Sequence, residues 1–219
     1  MESSEDYGLN KLDALYRSYF GSDFPSAQQL SREAELCLEY VHFIDNHPTV
    51  LVSLGSVANS TQMPREWKDE FVKLFDSMKD VHFIWKYDGT DVQTPKNVLI
   101  KKWIPQNELL KSGKVTAFLT HAGYNSLSES LYAAVPVVLL PTFADQSRNA
   151  NLAKVRGIGL IVKKSEVQAE VLAERISTVV NNSSYLIAAR KYQKASKEQT
   201  IYGRREDCSL ESFRFKQLC

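Results

Sequence analysis

The segment Thr120-His121-Ala122-Gly123-Tyr124-Asn125-Ser126 holds the densest set of groups suited to binding an anion. It follows an apolar run and opens a stretch with helical spacing, so the backbone N–H groups from about Gly123 to Ser126 fall at a helix N-terminus. Unpaired amides and the helix dipole favour negative charge there. Gly123 allows close approach of a phosphate, and His121, Asn125 and Ser126 add side-chain donors without calling for a metal. The competing assignment is ordinary N-capping by Thr120 or Ser126, with His121 satisfied inside a loop.

Other candidates flank this segment. Trp103 closes an apolar run ahead of Pro105-Gln106. A tryptophan there either packs into the core or offers a flat face to a base, a contact that contributes about 1–3 kcal/mol in base–aromatic stacking. Gln106, at the start of the next helix, can hydrogen-bond a base edge or a ribose. Glu129 lies one turn beyond Asn125 on the same helix face, where a carboxylate can accept both ribose hydroxyls or simply be solvated. Asp145-Gln146 follow a later strand and suit sugar hydroxyls, or Asp145 is an N-cap.

The elements that must carry these residues alternate. Thr49 begins a change of character: Val50 to Leu54 is a continuous aliphatic run ending in Gly55-Ser56, as expected of a strand buried on both faces. Pro64 suits a first helical turn, and Trp67, Phe71, Leu74, Phe75 and Met78 recur at helical spacing. Strands are expected at residues 81–87, 97–103, 115–120, 136–140 and 158–162. Helices are expected at 106–111, 124–134, 146–156, 167–180 and 185–197. This alternation predicts an α/β fold, a Rossmann-like parallel sheet with helices on both faces. In such a sheet ligands bind at the carboxyl ends of the strands, and the candidate residues fall at those ends. Three segments are predicted: residues 1–48, mostly helical or irregular, with helix-like spacing at Leu12–Phe20 and Ala27–Tyr40; a domain at 49–199; and an irregular tail at 200–219.

Composition narrows the function classes. Of 219 residues, 43% are hydrophobic and 24% charged, enough for a packed core in a chain that reads as soluble. The net charge of +1 gives no field favouring nucleic acid. Lys101-Lys102 and Lys163-Lys164 read as solvated strand ends. Cys37, Cys208 and Cys219 cannot all pair, and His42, His47, His82 and His121 show no metal-ligand spacing. The opening MESSEDYGLNKLD has no apolar leader core. The longest apolar run, Ala133 to Pro141, is far short of the roughly 20 residues a membrane helix needs. No G-x-x-x-x-G-K-[ST], no G-x-G-x-x-G and no G-x-S-x-G is present, which removes P-loop NTPases, nicotinamide dehydrogenases and α/β-hydrolases.

Taken together, Trp103-Ile104-Pro105-Gln106-Asn107-Glu108-Leu109-Leu110, Thr120 to Glu129, Val135-Pro136 and Asp145-Gln146 resemble the donor-binding signature of UDP-glycosyltransferases. The resemblance is strongest to animal, nematode-type UDP-glucuronosyltransferases and runs from about Val50 to Lys197. It implies the C-terminal domain of the two-domain GT-B fold, and it implies roles. Trp103 would stack on uracil and Gln106 contact the nucleoside. Ser56, His121, Asn125 and Ser126 would hold the diphosphate, close to Gly123, and Glu129 the ribose. Asp145 and Gln146 would face the sugar.

The implied reaction is inverting, metal-free transfer of a hexosyl group, glucuronate above all, from a UDP-sugar to a small lipophilic acceptor. The UDP-sugar would be a co-substrate, with no cofactor. The family's general base is a histidine of an N-terminal domain, so no catalytic residue is assigned here. Residues 1–48 read as the last helices of that domain, and the chain as a truncated form. Family members work at the endoplasmic reticulum membrane, facing the lumen. The alternative is a UDP-sugar-binding or dimerisation module without turnover, pairing with full-length relatives.

Overall fold

The computed structural model describes residue 40, residues 43–44, 47–55 and 60–202. Ser56, the Leu12–Phe20 stretch, nearly all of Ala27–Tyr40 and the tail beyond 202 lie outside the described residues. The chain divides into two compact units, Met1–Asn46 and His47–Cys219, and the elements below belong to the second.

Six strands form one sheet: β1 (Thr49–Ser53), β2 (His82–Lys86), β3 (Val98–Lys101), β4 (Val115–Thr120), β5 (Val137–Leu139) and β6 (Gly159–Ile161). Their order is β3-β2-β1-β4-β5-β6, and every pairing is parallel. β1, at the centre, is buried along its whole length. That explains its unbroken run of Val50, Leu51 and Val52: a strand covered on both faces has no polar side to show.

The helices are α1 (Arg65–Ser77), α2 (Gln106–Lys111), α3 (Tyr124–Ala133), α4 (Gln146–Val155), α5 (Ala169–Asn181) and α6 (Ser183–Tyr202). On one face of the sheet, Val50, Val52, Phe83, Trp85, Ala117, Leu119 and Val138 share a core with Phe71, Leu74 and Phe75 of α1 and Leu172, Ile176 and Val179 of α5. Its aromatic centre is ordered: Phe71 stacks on Trp85 with ring centroids 5.7 Å apart, and Trp85 on Tyr87 at 4.6 Å. Leu51, Ile84 and Phe118 point the other way by strand alternation and are also fully buried. Packing of α3 against α2, α4 and α6 covers that second face.

Polar side chains close the helix ends. Glu70 of α1 accepts the Ala169 backbone N–H at 2.7 Å, capping α5 from a neighbouring helix. The Asn97 amide donates to the carbonyls of Phe75, Met78 and Val81 at 3.0–3.1 Å, closing the C-terminal end of α1.

Most elements begin or end one or two residues from the expected boundary, and two of the differences have consequences. β3 stops at Lys101 rather than Trp103, because β2, its neighbour in the sheet, ends at Lys86; the last ladder bond runs from Tyr87 N to Lys101 O. Trp103 is thereby released into a bend. The last helix starts at Ser183, where the Asn182 side chain accepts the Ser184 N–H, and runs to Tyr202, past the expected start of the tail.

Candidate functional site

The chain crosses over between β1 and β4: β2 and β3 lie to one side of β1, and β4, β5 and β6 to the other. Such a switch point leaves a crevice at the carboxyl ends of the two central strands. Ser53 of β1 and Thr120 of β4 are register partners at that edge. Just beyond them, Gly55, two residues after Ser53, lies against the ring of His121, the residue after Thr120.

His121 is half-buried, and its imidazole lies between two glycines. A Cβ on Gly55 would sit 2.8 Å from ring atoms Cε1 and Nε2, and one on Gly123 would sit 2.4 Å from Nε2. Gly55 also has φ +96°, a conformation that side chains strain to adopt. Burial holds the imidazole below its ordinary pKa against the upward pull of the Asp145 charge, with a smaller downward contribution from the charge of Lys86. His121 is accordingly a neutral donor at neutral pH rather than a cation. Next to it, Ala122 is fully buried at φ +66°, and its carbonyl accepts from the Asn149 amide at 3.2 Å. A left-handed alanine costs on the order of 1–2 kcal/mol, and backbone of this kind collects at working sites.

Gly123 is the N-cap residue of α3, and no side chain caps the helix. Neither Thr120 nor Ser126 fills the capping role that the competing assignment gives them. Thr120 Oγ1 instead lies 3.4 Å from His121 Nδ1, and Ser126 is buried against Gln106 Nε2 at 3.4 Å. Asn125 is exposed in the first turn. Four of the expected residues, His121, Gly123, Asn125 and Ser126, thus surround one helix N-terminus.

Gln106 and Glu129 come together directly, Nε2 donating to Oε2 at 2.7 Å. Glu129 and Asn125 also line an open groove of about 610 Å³, with Asn107 and Lys111 of α2, Tyr132 of α3 and Gln193 of α6. Trp103 is 56% exposed, so it is not a core residue. Asp145 is exposed; it occupies the N-cap position of α4 but makes no cap hydrogen bond, and its Oδ2 accepts from Asn149 at 2.8 Å. Gln146 is buried, and its Oε1 accepts from Thr142 N, Thr142 Oγ1 and Phe143 N at 2.8, 2.8 and 3.1 Å. That carbonyl is committed to folding its own loop. Ser56 lies outside the described residues.

Sequence reasoning missed Asn149, which ties the β4–α3 loop to Asp145. Its position four residues after Asp145, hence on the same helix face, was the available signal. Lys86 was missed as well: its Nζ donates to the Gly55 carbonyl at 3.1 Å.

The family model described as UDP-glucoronosyl and UDP-glucosyl transferase matches residues 19–201. Among curated proteins, ugt-56 of Caenorhabditis elegans is 39% identical over 142 residues, covering 62% of this chain and 27% of that protein. UDP-glucuronosyltransferase 1A8 of Rattus norvegicus is 34% identical over 166 residues, covering 75% of this chain and 30% of its own length. The chain therefore spans less than a third of either relative. Among solved structures, Os79 from O. sativa in complex with UDP superposes with a TM-score of 0.68 at 27% identity, covering 75% of this chain and 39% of Os79. The structural neighbours are GT-B glycosyltransferases, of which this chain matches about two fifths. The matching motifs, the doubly wound sheet and the span of the family model agree: the chain belongs to the UDP-glucoronosyl and UDP-glucosyl transferase family.

Proposed function

We propose that this chain is the donor-binding half of a UDP-glycosyltransferase that moves a hexosyl group, glucuronate above all, to a small lipophilic acceptor. One observation carries the reading: at the sheet's switch point an imidazole wedged between Gly55 and Gly123 stands beside the α3 N-terminus, which no side chain caps. Diphosphate oxygens would take the α3 amides, His121, Asn125 and Ser126, and the motif resemblance adds Ser56 to this set. The base would lie on the exposed Trp103. Ribose would meet the Gln106–Glu129 pair, and the sugar would meet Asp145 and the amide nitrogen of Gln146. The UDP complex of Os79 supports the nucleotide assignment by likeness of fold.

In this scheme an acceptor oxygen attacks the anomeric carbon as the bond to the β-phosphate oxygen breaks, and UDP leaves with the electron pair. The acceptor's proton goes to a base outside this domain, and no metal or cofactor is assigned. Loss of a single preorganised donor to such a leaving group costs about 10²–10³-fold in rate. By the same family likeness the site of action would be the endoplasmic reticulum lumen. Among the described residues no helix is long and apolar enough to cross a membrane.

The test is calorimetric titration of the 219-residue chain with UDP and UDP-glucuronate, beside His121→Ala. Binding that the variant loses supports the reading; a folded chain that binds neither nucleotide overturns it. A second reading, a nucleotide-sugar-binding module without turnover, rests on the absence of an assigned base among the site residues. Release of free sugar or transfer to acceptor by the purified chain would exclude it.

A further inference from the structure

We propose that Lys86 is the cation that faces the diphosphate of the bound nucleotide, held for that task by the Gly55 carbonyl. The inference rests on the donor-binding reading above and adds to it a residue that the motif does not contain.

A nucleoside diphosphate brings two to three negative charges to the switch point. Among the described residues, the groups assigned to it above are weakly positive at most: a helix N-terminus equivalent to about half a charge, neutral hydroxyls and amides, and an imidazole whose pKa burial lowers. A site of that kind is short of positive charge, and a buried or half-buried anion without a counter-charge is costly.

Lys86 meets the shortfall by position. It is the last residue of β2, beside β1 in the sheet. Phe83 and Trp85 belong to the core shared with α1 and α5, so strand alternation sends Lys86 to the opposite face, the one that carries α2 and α3. Its Nζ donates to the Gly55 carbonyl at 3.1 Å. Gly55 is also the residue against which the His121 ring lies. One glycine therefore brings the ammonium to the carboxyl end of β1 next to the imidazole and the start of α3. The charge of Lys86 reaching His121 agrees with this placement. Lys101 is the register partner of Lys86 on β3 and adds a second cation to the same face of this edge. An ammonium has three N–H donors and can hold a carbonyl and a phosphate oxygen together.

The experiment titrates uridine, UMP and UDP into the wild-type chain, Lys86→Gln and Lys86→Arg, at low and at moderate salt. Glutamine keeps a donor for the Gly55 carbonyl and removes the charge, so it separates electrostatics from folding; thermal unfolding checks that each variant is native. Lys86→Gln is expected to weaken UDP about tenfold or more, leave uridine within twofold, and flatten the salt dependence. Lys86→Arg is expected to recover most of the loss. In parallel, NMR titration of His121 in Lys86→Gln is expected to show its pKa rising, with Asp145 the remaining charge that acts on it. A folded Lys86→Gln that binds UDP within twofold of wild type overturns the role of Lys86 and leaves the donor site standing. A wild-type chain that binds no UDP overturns both.

Discussion

Gln106 donates from Nε2 to Glu129 Oε2 over 2.7 Å, joining the first residue of α2 to the middle of α3. The two residues expected to recognise nucleoside and ribose are therefore one unit before any ligand arrives. A neutral donor held by a carboxylate is already oriented, and preorganisation lowers the cost of ordering side chains on binding. A hydrogen bond to a charged group contributes about 1.5–3 kcal/mol. Gln106→Ala and Glu129→Ala are expected to be non-additive, with a coupling of about 0.5–3 kcal/mol in UDP affinity. A double-mutant cycle by calorimetry measures it. Strict additivity would mean that the two side chains act separately.

The glycines around His121 give a steric prediction. Gly123 has ordinary backbone angles, so Gly123→Ala introduces no torsional strain but places a methyl 2.4 Å from His121 Nε2. The ring must swing away. The expected result is a stable protein whose UDP affinity falls about tenfold or more, equivalent to roughly 1.4 kcal/mol. Gly55→Ala meets the same ring at 2.8 Å and must also adopt φ +96°. That left-handed conformation adds on the order of 1–2 kcal/mol, so Gly55→Ala should unfold at the lower temperature of the two. Calorimetric unfolding of both variants checks the order.

The pH dependence follows from the same histidine. Its folded pKa is depressed, chiefly by burial. The unfolded chain then binds the proton more readily, so stability is fully present above the ordinary histidine pKa of about 6.5 and falls as pH drops below it toward the folded value. His121→Gln should flatten that part of the stability curve. Asp145 is the charge that raises the pKa, so Asp145→Asn should depress it further. A histidine NMR titration that moved upward in Asp145→Asn would show that the Asp145 charge does not act on the imidazole.

Much of this fold is legible in the chain itself. Uninterrupted Val50-Leu51-Val52 announces a strand with no solvent face, and the alternation that follows leaves little but a parallel sheet. The helical spacing that follows Gly123 placed a helix start at Tyr124, where the structure has it, because period is a local property. What stayed illegible was nonlocal. Nothing in the chain near Lys86 says that its ammonium will reach the Gly55 carbonyl, since that contact depends on which strands become neighbours. Gln146 shows the converse: its type and position suggested a ligand contact, yet Oε1 closes the Thr142–Phe143 turn.

Lys68 illustrates the same limit and yields a fourth prediction. The helical spacing of α1 marks Trp67 and Phe71 as its inner face, yet Lys68 is buried there as well. Its Nζ donates to the Thr61 carbonyl at 2.8 Å and to Asp91 Oδ2 at 2.9 Å, while the Tyr87 hydroxyl donates to Asp91 Oδ1 at 2.6 Å. One lysine thus ties the β1–α1 and β2–β3 loops together. The Lys68 ammonium, aided by Tyr87, holds the Asp91 carboxyl at a pKa of about 2. A depressed carboxylate contributes stability above its unfolded pKa of about 3.9 and loses it as pH falls through the folded value, here between about 4 and 2. Lys68→Met should lower the melting temperature and erase that acid-side slope. Hydrogen exchange should show faster amides in residues 88–95, and unchanged exchange there would refute the clamp.

Trp103 separates binding from folding most sharply. Its side chain is 56% exposed, beyond the end of β3. Truncating an exposed residue outside any cap or buried network usually changes stability by no more than about 0.5 kcal/mol. Stacking of a base on such a ring contributes about 1–3 kcal/mol, which corresponds to a loss of roughly 5- to 150-fold in affinity. Trp103→Ala is therefore expected to melt with the wild type and to bind UDP that much more weakly, whereas Trp103→Phe should keep a good part of the affinity. Because stacking acts on the base, the loss should be equal for uridine and UDP, unlike that of Lys86→Gln, which should fall on UDP alone. Titration of both ligands into both variants distinguishes a base platform from a charge site. Equal affinity of Trp103→Ala and wild type for UDP would remove Trp103 from the site.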